Sequence, residues 1–487
     1  MKVPSKPIRI GWARTDITPD RPVFLAGQFY ERVSQYVHDP ITATALALDN
    51  GTDQAVLVSL DMVYAPLPIL AAVRRNLADE PDLDVQKISV HATHTHTSYC
   101  IGDKTLVSLF EAVFGPERVA RLHAPENTMT DQEVRIFLTD KLTALIRSAW
   151  RARTAGGISL AQDYAAVAFN RRPIFRSGET IMYGVCSRED FVRLEGPSDH
   201  TADLLYTWDP IGRLTGVVVN IPCPAQVMEL HCFVSADYWD AARSAIREKL
   251  GPVNILPMCG AAGDQNPLDL IRISKHNAQP LQDWGAQKGE VIRNLDLALE
   301  CRDIGDRIAD AVLRGYRKAY RHIAYDLPFV HALRPVELPI RQVSEAEYQE
   351  ALALVETVKR SFSAEHKMQT ADCVPLFAPV GVILRWQEQQ ETTTYAFDVH
   401  LLRIGRAVLA TNPFELFTEY GMRIKARSPA DQTFIAQLSN GGKSGYLPTE
   451  LAVQGGSYSS KAASTTCGPE GGDRLVEETL QGLADLW

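Results

Sequence analysis

No apolar run in the 487-residue sequence approaches the roughly 20 residues a membrane span requires, and no block of lysine and arginine marks a face for anionic lipid. Basic residues are outnumbered 50 to 59, giving a net charge of −9, which excludes a protein that works by covering nucleic-acid phosphates. The eight cysteines are scattered (Cys100, Cys186, Cys223, Cys232, Cys259, Cys301, Cys373, Cys467) without a CxxC pair, too sparse for a disulfide scaffold, so reduced thiols are expected. The N-terminal "MKVPSKPIRIGWARTDITP" has basic residues but no apolar core and no small-residue cleavage site, and we expect a cytoplasmic protein. With 45% hydrophobic and 22% charged residues and no low-complexity tract, the composition is that of an ordinary globular protein large enough for two or three lobes. It leaves the oligomeric state open, a homo-oligomer included.

Histidine is scarce too, with 12 in the chain, yet three fall within "VHATHTHTSYC" at residues 90 to 100. The surrounding texture is α/β. "ITATALALDNGTDQAVLVSLDM" reads as two strands joined at the Asn50-Gly51 turn signal, followed by a helix at "PLPILAAVRRNLADE" and a strand at "VQKISVHATHTH". "TDQEVRIFLTDKLTALIRSAWRART" is a capped amphipathic helix. "LTGVVVNIPCPAQ" is a buried strand, "SADYWDAARSAIREKLG" a helix ended by Gly251, and "VNILPMCGAAGDQNP" a strand entering a glycine-rich turn: a βαβ grammar. A soft boundary lies near residue 328, dividing an α/β lobe over 1–327 from an α+β lobe over 328–487. Past it, Ser344 and Glu347 stand in capping-box spacing, and "VGVILRWQEQQETTTYAFDVHLLRIGRAVLATNPFE" reads as consecutive antiparallel strands. The expected class is α/β, with mixed sheets flanked by helices.

On a strand, His94 and His96 share a face and His91 takes the other. Two imidazoles at that spacing converge on one cation, or divide the labour between ligand and proton carrier.

Five short motifs occur in one order along nearly the whole chain: "GWARTDITP", "THTH", "GAAGDQNP", "NPFELF" and "GYLPT". Together they resemble the neutral/alkaline ceramidase family. The resemblance implies a zinc-dependent amidase with an α/β catalytic domain over residues 1–487, lacking the C-terminal immunoglobulin-like domain usual in that family. It implies zinc ligation by His94, Glu415 of "NPFELF" and Tyr446 of "GYLPT", with His96 as the catalytic histidine. Arg171 of "FNRRP" and Tyr458 correspond to site residues that stabilise charge. By itself, Glu415 after Asn-Pro also suits a helix first turn, and Tyr446 alone reads as packing.

Two departures alter the expectation. Where the family carries a second zinc-binding histidine before a proline, this chain has Cys223; a thiolate ligates zinc, but a buried cysteine is commonly an inert apolar group. His231 is the nearby substitute and is preferred. Where the family has a serine in its Gly-Asp-x-Ser-Pro turn there is Asn266, whose amide cannot serve as a serine-type nucleophile. The chemistry left is attack by water on zinc, whose bound water has a pKa lowered toward roughly 7. Asp264 is counted with the catalytic groups, and Gly263, Gln265 and Asn266 with those shaping the substrate pocket, where loop NH groups freed by Gly260 and Gly263 would hold an oxyanion.

The expected function is hydrolysis of an amide (N-acyl) bond in a small or polar molecule, not ceramide, with Zn2+ or another divalent transition metal as cofactor. One alternative is glycoside or ester cleavage on the same scaffold, with Asp264 and Glu415 or Glu229 as a carboxylate pair. Another is a noncatalytic ligand-binding protein. The expected partner in each case is a small molecule.

Overall fold

Asn50 and Gly51 do turn the chain: Gly51 sits at φ 74°, a left-handed conformation that suits glycine, and the Asn50 side chain accepts from the amides of Thr52 and Asp53. This hairpin lies in the first of two principal sheets. The computed structural model describes residues 3–102, 107–276, 296–363, 365–441 and 444–487. Within them the first sheet is built from β1 (Lys6–Asp16), β2 (Thr42–Asp49), β3 (Gln54–Leu60), β4 (Ile88–Ala92), β5 (Thr154–Tyr164), β6 (Thr201–Trp208), β7 (Leu214–Ile221) and β8 (Asn254–Cys259). Their spatial order is β8-β7-β6-β5-β1-β2-β3-β4. The centre is antiparallel, while each end closes with a parallel pair, β3 with β4 and β7 with β8. Parallel neighbours need a crossover. Helix α1 (Leu67–Asn76) supplies it at one end and a later helix, Tyr238–Leu250, at the other.

Strand alternation divides the core. Ala43, Ala45 and Ala47 of β2 face the helical layer, joining Leu138, Leu142 and Ile146 of α2 (Asp131–Arg151) and, beyond α3 (Tyr238–Leu250), Ile304 and Ile308 of α4 (Leu297–Ala319). Leu46 and Leu48 point oppositely, into a second core shared with Leu402, Ile404, Leu409 and Phe434. Those residues belong to the second sheet, ordered β9 (Phe329–Pro339), β10 (Thr394–Ile404), β11 (Ala407–Thr411) and β12 (Gln432–Ala436). Its outer face packs on α7 (Thr418–Arg427) and α8 (Pro469–Ala484) through Val399, Leu401, Tyr420, Ile424, Leu475 and Leu480. The fold is α/β in four layers, helices outside and two mixed sheets within. Among the described residues no helix is long and apolar enough to cross a membrane.

One element differs in kind from its expectation. The apolar run from Val380 is not a strand but part of helix α6 (Phe377–Glu388), packed on α5 (Glu345–Ser361). Phe377, Val380 and Ile383 meet Ala351 and Val355 there, and this helical partner decides what an apolar run without clear period leaves ambiguous. Strands begin only at Thr394.

Between the sheets lies a buried imidazole pair, His331 Nε2 2.9 Å from His400 Nδ1, with His331 Nδ1 2.9 Å from the Gln54 carbonyl. Burial pushes His331 down to about 4 and His400 well below its usual value, and Lys87 acts in the same direction on both. The unfolded chain binds protons near pH 6.5 that the native pair refuses, so stability rises with pH between about 4 and 6.5 and is lost as pH falls through that window. Urea midpoints at pH 7.5 and pH 5 are expected to diverge more for the wild type than for a His331→Gln/His400→Gln double variant. Equal divergence would remove the pair from the acid response.

Candidate active site

β4 ends at Ala92, so His94 and His96 are brought together by a loop and not by strand alternation. His94 adopts φ 67°, an uncommon conformation for a side chain other than glycine. Its amide donates to Met62 O (2.9 Å) and its Nδ1 lies 2.7 Å from Val63 O. A carbonyl only accepts, so Nδ1 carries a hydrogen and Nε2 is turned inward. There it stands 3.2 Å from Glu415 Oε2 and 3.3 Å from His96 Nε2. Two imidazole nitrogens and a carboxylate oxygen at such distances repel unless a proton or a metal cation lies among them.

Glu415 and Tyr446 arrive from the second sheet's side. The short strands Glu415–Leu416 and Tyr446–Leu447 run parallel with Glu415 and Tyr446 in register. Burial alone would raise the Glu415 carboxyl, but facing His94, Arg171 and the Tyr446 hydroxyl leaves it below the usual range. Arg171 is 3% exposed and donates from Nη2 to Tyr446 Oη (3.0 Å) and Gly263 O (2.9 Å), and from Nη1 to Gln226 Oε1 (3.3 Å). Burial opposes its charge, yet Tyr446, Tyr183 and Glu415 together hold it above its ordinary value, so it is a permanent buried cation.

His96 has a second set of partners. Gln226 turns its carbonyl oxygen to Arg171, which leaves its amide nitrogen 2.6 Å from His96 Nε2. That NH2 donates, so Nε2 accepts and the imidazole hydrogen sits on Nδ1, 2.9 Å from Glu229 Oε2. Gln28 Nε2 also donates to Glu229 Oε2 (2.9 Å). Behind them, the buried Arg32 guanidinium donates to the carbonyls of Ala26, His96, Glu229 and His231, buckling together the segments that carry the dyad. Gly27, at φ 93°, has no tolerance for a side chain, since a Cβ there would lie 2.4 Å from the His96 ring.

These groups border a cavity of about 500 Å³ lined by His94, His96, Glu415, Tyr446 and Tyr458. The Tyr458 ring lies 5.5 Å from Tyr446 and 5.0 Å from Phe29, and Phe29 and Phe377 extend the aromatic wall. Uncommon backbone conformations gather here: besides His94, the lining residue Leu438 has φ 55°, Tyr183 φ 62° and Ser457, beside Tyr458, φ 78°. Strain of this kind concentrates where surrounding structure over-determines a site.

The glycine-rich loop stands behind this wall as a buttress. Asp264, expected among the catalytic groups, is 2% exposed with both oxygens engaged: Oδ1 accepts from Thr418 N and Oγ1 (2.9 and 2.7 Å), Oδ2 from Asn170 Nδ2 (2.9 Å). Gly263, Gln265 and Asn266, expected to shape the pocket, do not line the cavity. Gly263 permits close passage of the chain, its would-be Cβ 2.3 Å from Glu415 O; Gln265 donates to Pro197 O; and Asn266 donates to Tyr183 Oη (2.9 Å). Cys223 and His231 do not line the cavity either. The Cys223 thiol is fully buried, turned to Val167 O at 3.0 Å and pushed well up by burial, while His231 is exposed and stacks on Phe233. Neither side chain is brought to the His94–Glu415 pair.

Gln226 and Tyr183 went unrecognised in the sequence, and Glu229 entered only as an alternative carboxylate. They lie on loops with no periodic signal. The one cue was Glu229 standing close before His231 in "MELHC".

Among the described residues no three His, Cys, Asp or Glu side chains form a ready metal cluster. The convergent donors are one imidazole, one carboxylate and one phenol, namely His94 Nε2, Glu415 and Tyr446. Their nitrogen and oxygen chemistry fits a three-ligand catalytic zinc shell with one open position, and the His94 Nδ1–carbonyl contact is the orienting bond such a ligand ordinarily carries.

No family model matches the chain, and no curated protein does. Four solved chains match in structure. One is a neutral ceramidase from Pseudomonas aeruginosa, with a TM-score of 0.64, 17% identity, and coverage of 99% of this chain and 74% of that one. Another is a ceramidase complexed with C2, with a TM-score of 0.64, 14% identity, and coverage of 98% and 75%. The chain has a divergent neutral-ceramidase-like fold.

Proposed function

We propose that this protein is a zinc-dependent hydrolase that cleaves an amide bond of a small or polar substrate other than ceramide. The observation that supports this most is the meeting of His94, Glu415 and Tyr446 with the His96–Glu229 dyad on one cavity, whose volume of about 500 Å³ suits a small molecule. His94, Glu415 and Tyr446 would hold the ion, which when bound lowers the pKa of a water molecule and polarises a carbonyl. His96 takes the proton of the attacking water on Nε2, exchanging its Gln226 contact for the water's, and returns it to the leaving amine. Glu229 fixes the tautomer and steadies the imidazolium through Nδ1. Arg171 supplies positive charge through Tyr446, and Tyr458, which lines the cavity beside Tyr446, would meet the substrate where negative charge develops. The glycoside alternative is disfavoured because Asp264 is saturated by Thr418 and Asn170, which leaves Glu415 and Glu229 without it as an acid/base partner. We also place the protein in a reducing compartment, the cytoplasm, in keeping with cysteines that are sparse, scattered and without a CxxC pair.

Elemental analysis of the purified protein is the deciding experiment. The expected result is about one zinc per chain, as a single catalytic site holds, retained in Cys223→Ser and His231→Ala. Zinc lost from either folded variant would overturn this ligand set. A wild type that carries no metal and takes up none on incubation would overturn the zinc mechanism altogether.

A further inference from the structure

Arg171 and Arg172 are neighbours with opposite assignments. Arg171 reaches Tyr446, whereas Arg172, with no exposed surface, turns to the other side of the chain. There its Nε and Nη2 donate to Glu195 Oε1 and Oε2 (2.7 and 3.0 Å), a bidentate pair with a carboxylate that is also buried. The remaining donor capacity goes to one short segment: Nη2 to Gly456 O (2.7 Å) and Ala452 O (3.2 Å), and Nη1 to Ser459 Oγ (3.0 Å).

That segment, residues 452–460, ends in "GGSYSS" and brings Tyr458 to the cavity. It needs holding, because Gly456 and Ser457 both have left-handed φ values, 74° and 78°. Glu195 extends the grip, accepting from Thr180 Oγ1 (3.0 Å) while the Thr180 amide donates to Gly455 O (3.0 Å). Met182 N donates to Ser457 Oγ (3.0 Å). A residue buried this deeply is not required on the surface, and an ion pair here is costly to desolvate unless its geometry serves something.

We propose that Arg172 is a positioning residue for Tyr458, so that one Arg-Arg dipeptide sets two of the tyrosines that line the cavity: Arg171 by direct contact with Tyr446, and Arg172 by clamping, with Glu195, the main chain before Tyr458 and the Ser459 side chain after it. The importance of Tyr458 rests on the function proposed above; the clamp itself does not, and its test needs no turnover.

The test places 3-fluorotyrosine at position 458 of the full chain and compares 19F spectra of the otherwise wild-type protein with Arg172→Lys, Glu195→Gln and Ser459→Ala. A lysine has one point charge for five contacts, so the 458 resonance is expected to shift and broaden in Arg172→Lys, and to shift in Glu195→Gln, in proteins whose near-UV spectra remain native. Ser459→Ala, which removes a single contact, is expected to give a smaller shift in the same direction and keeps the test open should Arg172→Lys not fold. A merely structural Arg172 would lower the melting temperature without moving that resonance in the folded protein. Resonances coincident with wild type in the folded variants would therefore overturn the clamp, whereas absence of zinc from the same samples would count against the function alone.

Discussion

Alanine at position 94 is expected to leave the protein without bound zinc and to lower kcat/KM for an amide substrate by about 10³-fold or more. A bound metal supplies several kcal/mol of transition-state stabilisation, at about 1.4 kcal/mol per decade of rate. His94 offers the imidazole that faces Glu415 at 3.2 Å, and Val63 O already holds that ring in the ligand tautomer. The backbone complicates the substitution, since φ is 67° there and alanine is strained in that region. His94→Asn is the matched control: asparagine tolerates a left-handed backbone, so a loss of zinc common to both variants reports the missing imidazole. Retention of zinc by His94→Asn, read by elemental analysis, would remove His94 from the ligand set.

The second large effect belongs to Glu229. Glu229→Gln preserves shape, but it replaces by a neutral amide the carboxylate whose Oε2 lies 2.9 Å from both His96 Nδ1 and Gln28 Nε2. The imidazolium formed during turnover then loses its counter-charge, and an amide NH2 pointed at Nδ1 would favour the wrong tautomer. We expect kcat to fall by about 10²-fold or more, the usual scale of acid–base assistance, with zinc content unchanged. The split matters, because loss of metal together with activity would make Glu229 a support of the ligand shell, and an unchanged kcat would end the proton-carrier assignment of His96.

Much of the scaffold was legible because its signals are local. Asn50-Gly51 announces its hairpin, and Thr130 with Glu133 and Ser344 with Glu347 form the capping boxes that open α2 and α5. The apolar stretch from Val380 misled because β-branched and aromatic residues without a clean period suit either state until a neighbour is present. At the site, the paired histidines were conspicuous, but the reason they meet is a left-handed residue and a glycine, not the alternation of a strand. Glu415 and Tyr446 are 31 positions apart and acquire meaning only through the pairing of two-residue strands. Gln226 and Glu229 were invisible as partners of His96, for their placement depends on Arg171, Arg32 and Gln28, each reached across long sequence separation.

The four-layer sandwich also bears on when this chemistry can begin in the life of a chain. His94, His96, Arg171 and Glu229 are contributed by segments on or beside the first sheet, and Glu415, Tyr446 and Tyr458 follow the strands of the second. A nascent chain emerging amino end first therefore exposes its histidines long before it possesses the carboxylate and phenols that complete the cavity. Until residue 458 has left the ribosome and the second sheet has closed on the first, there is no assembled centre to meet a bystander molecule, and the order of translation itself would keep the proposed hydrolase inert until it is finished.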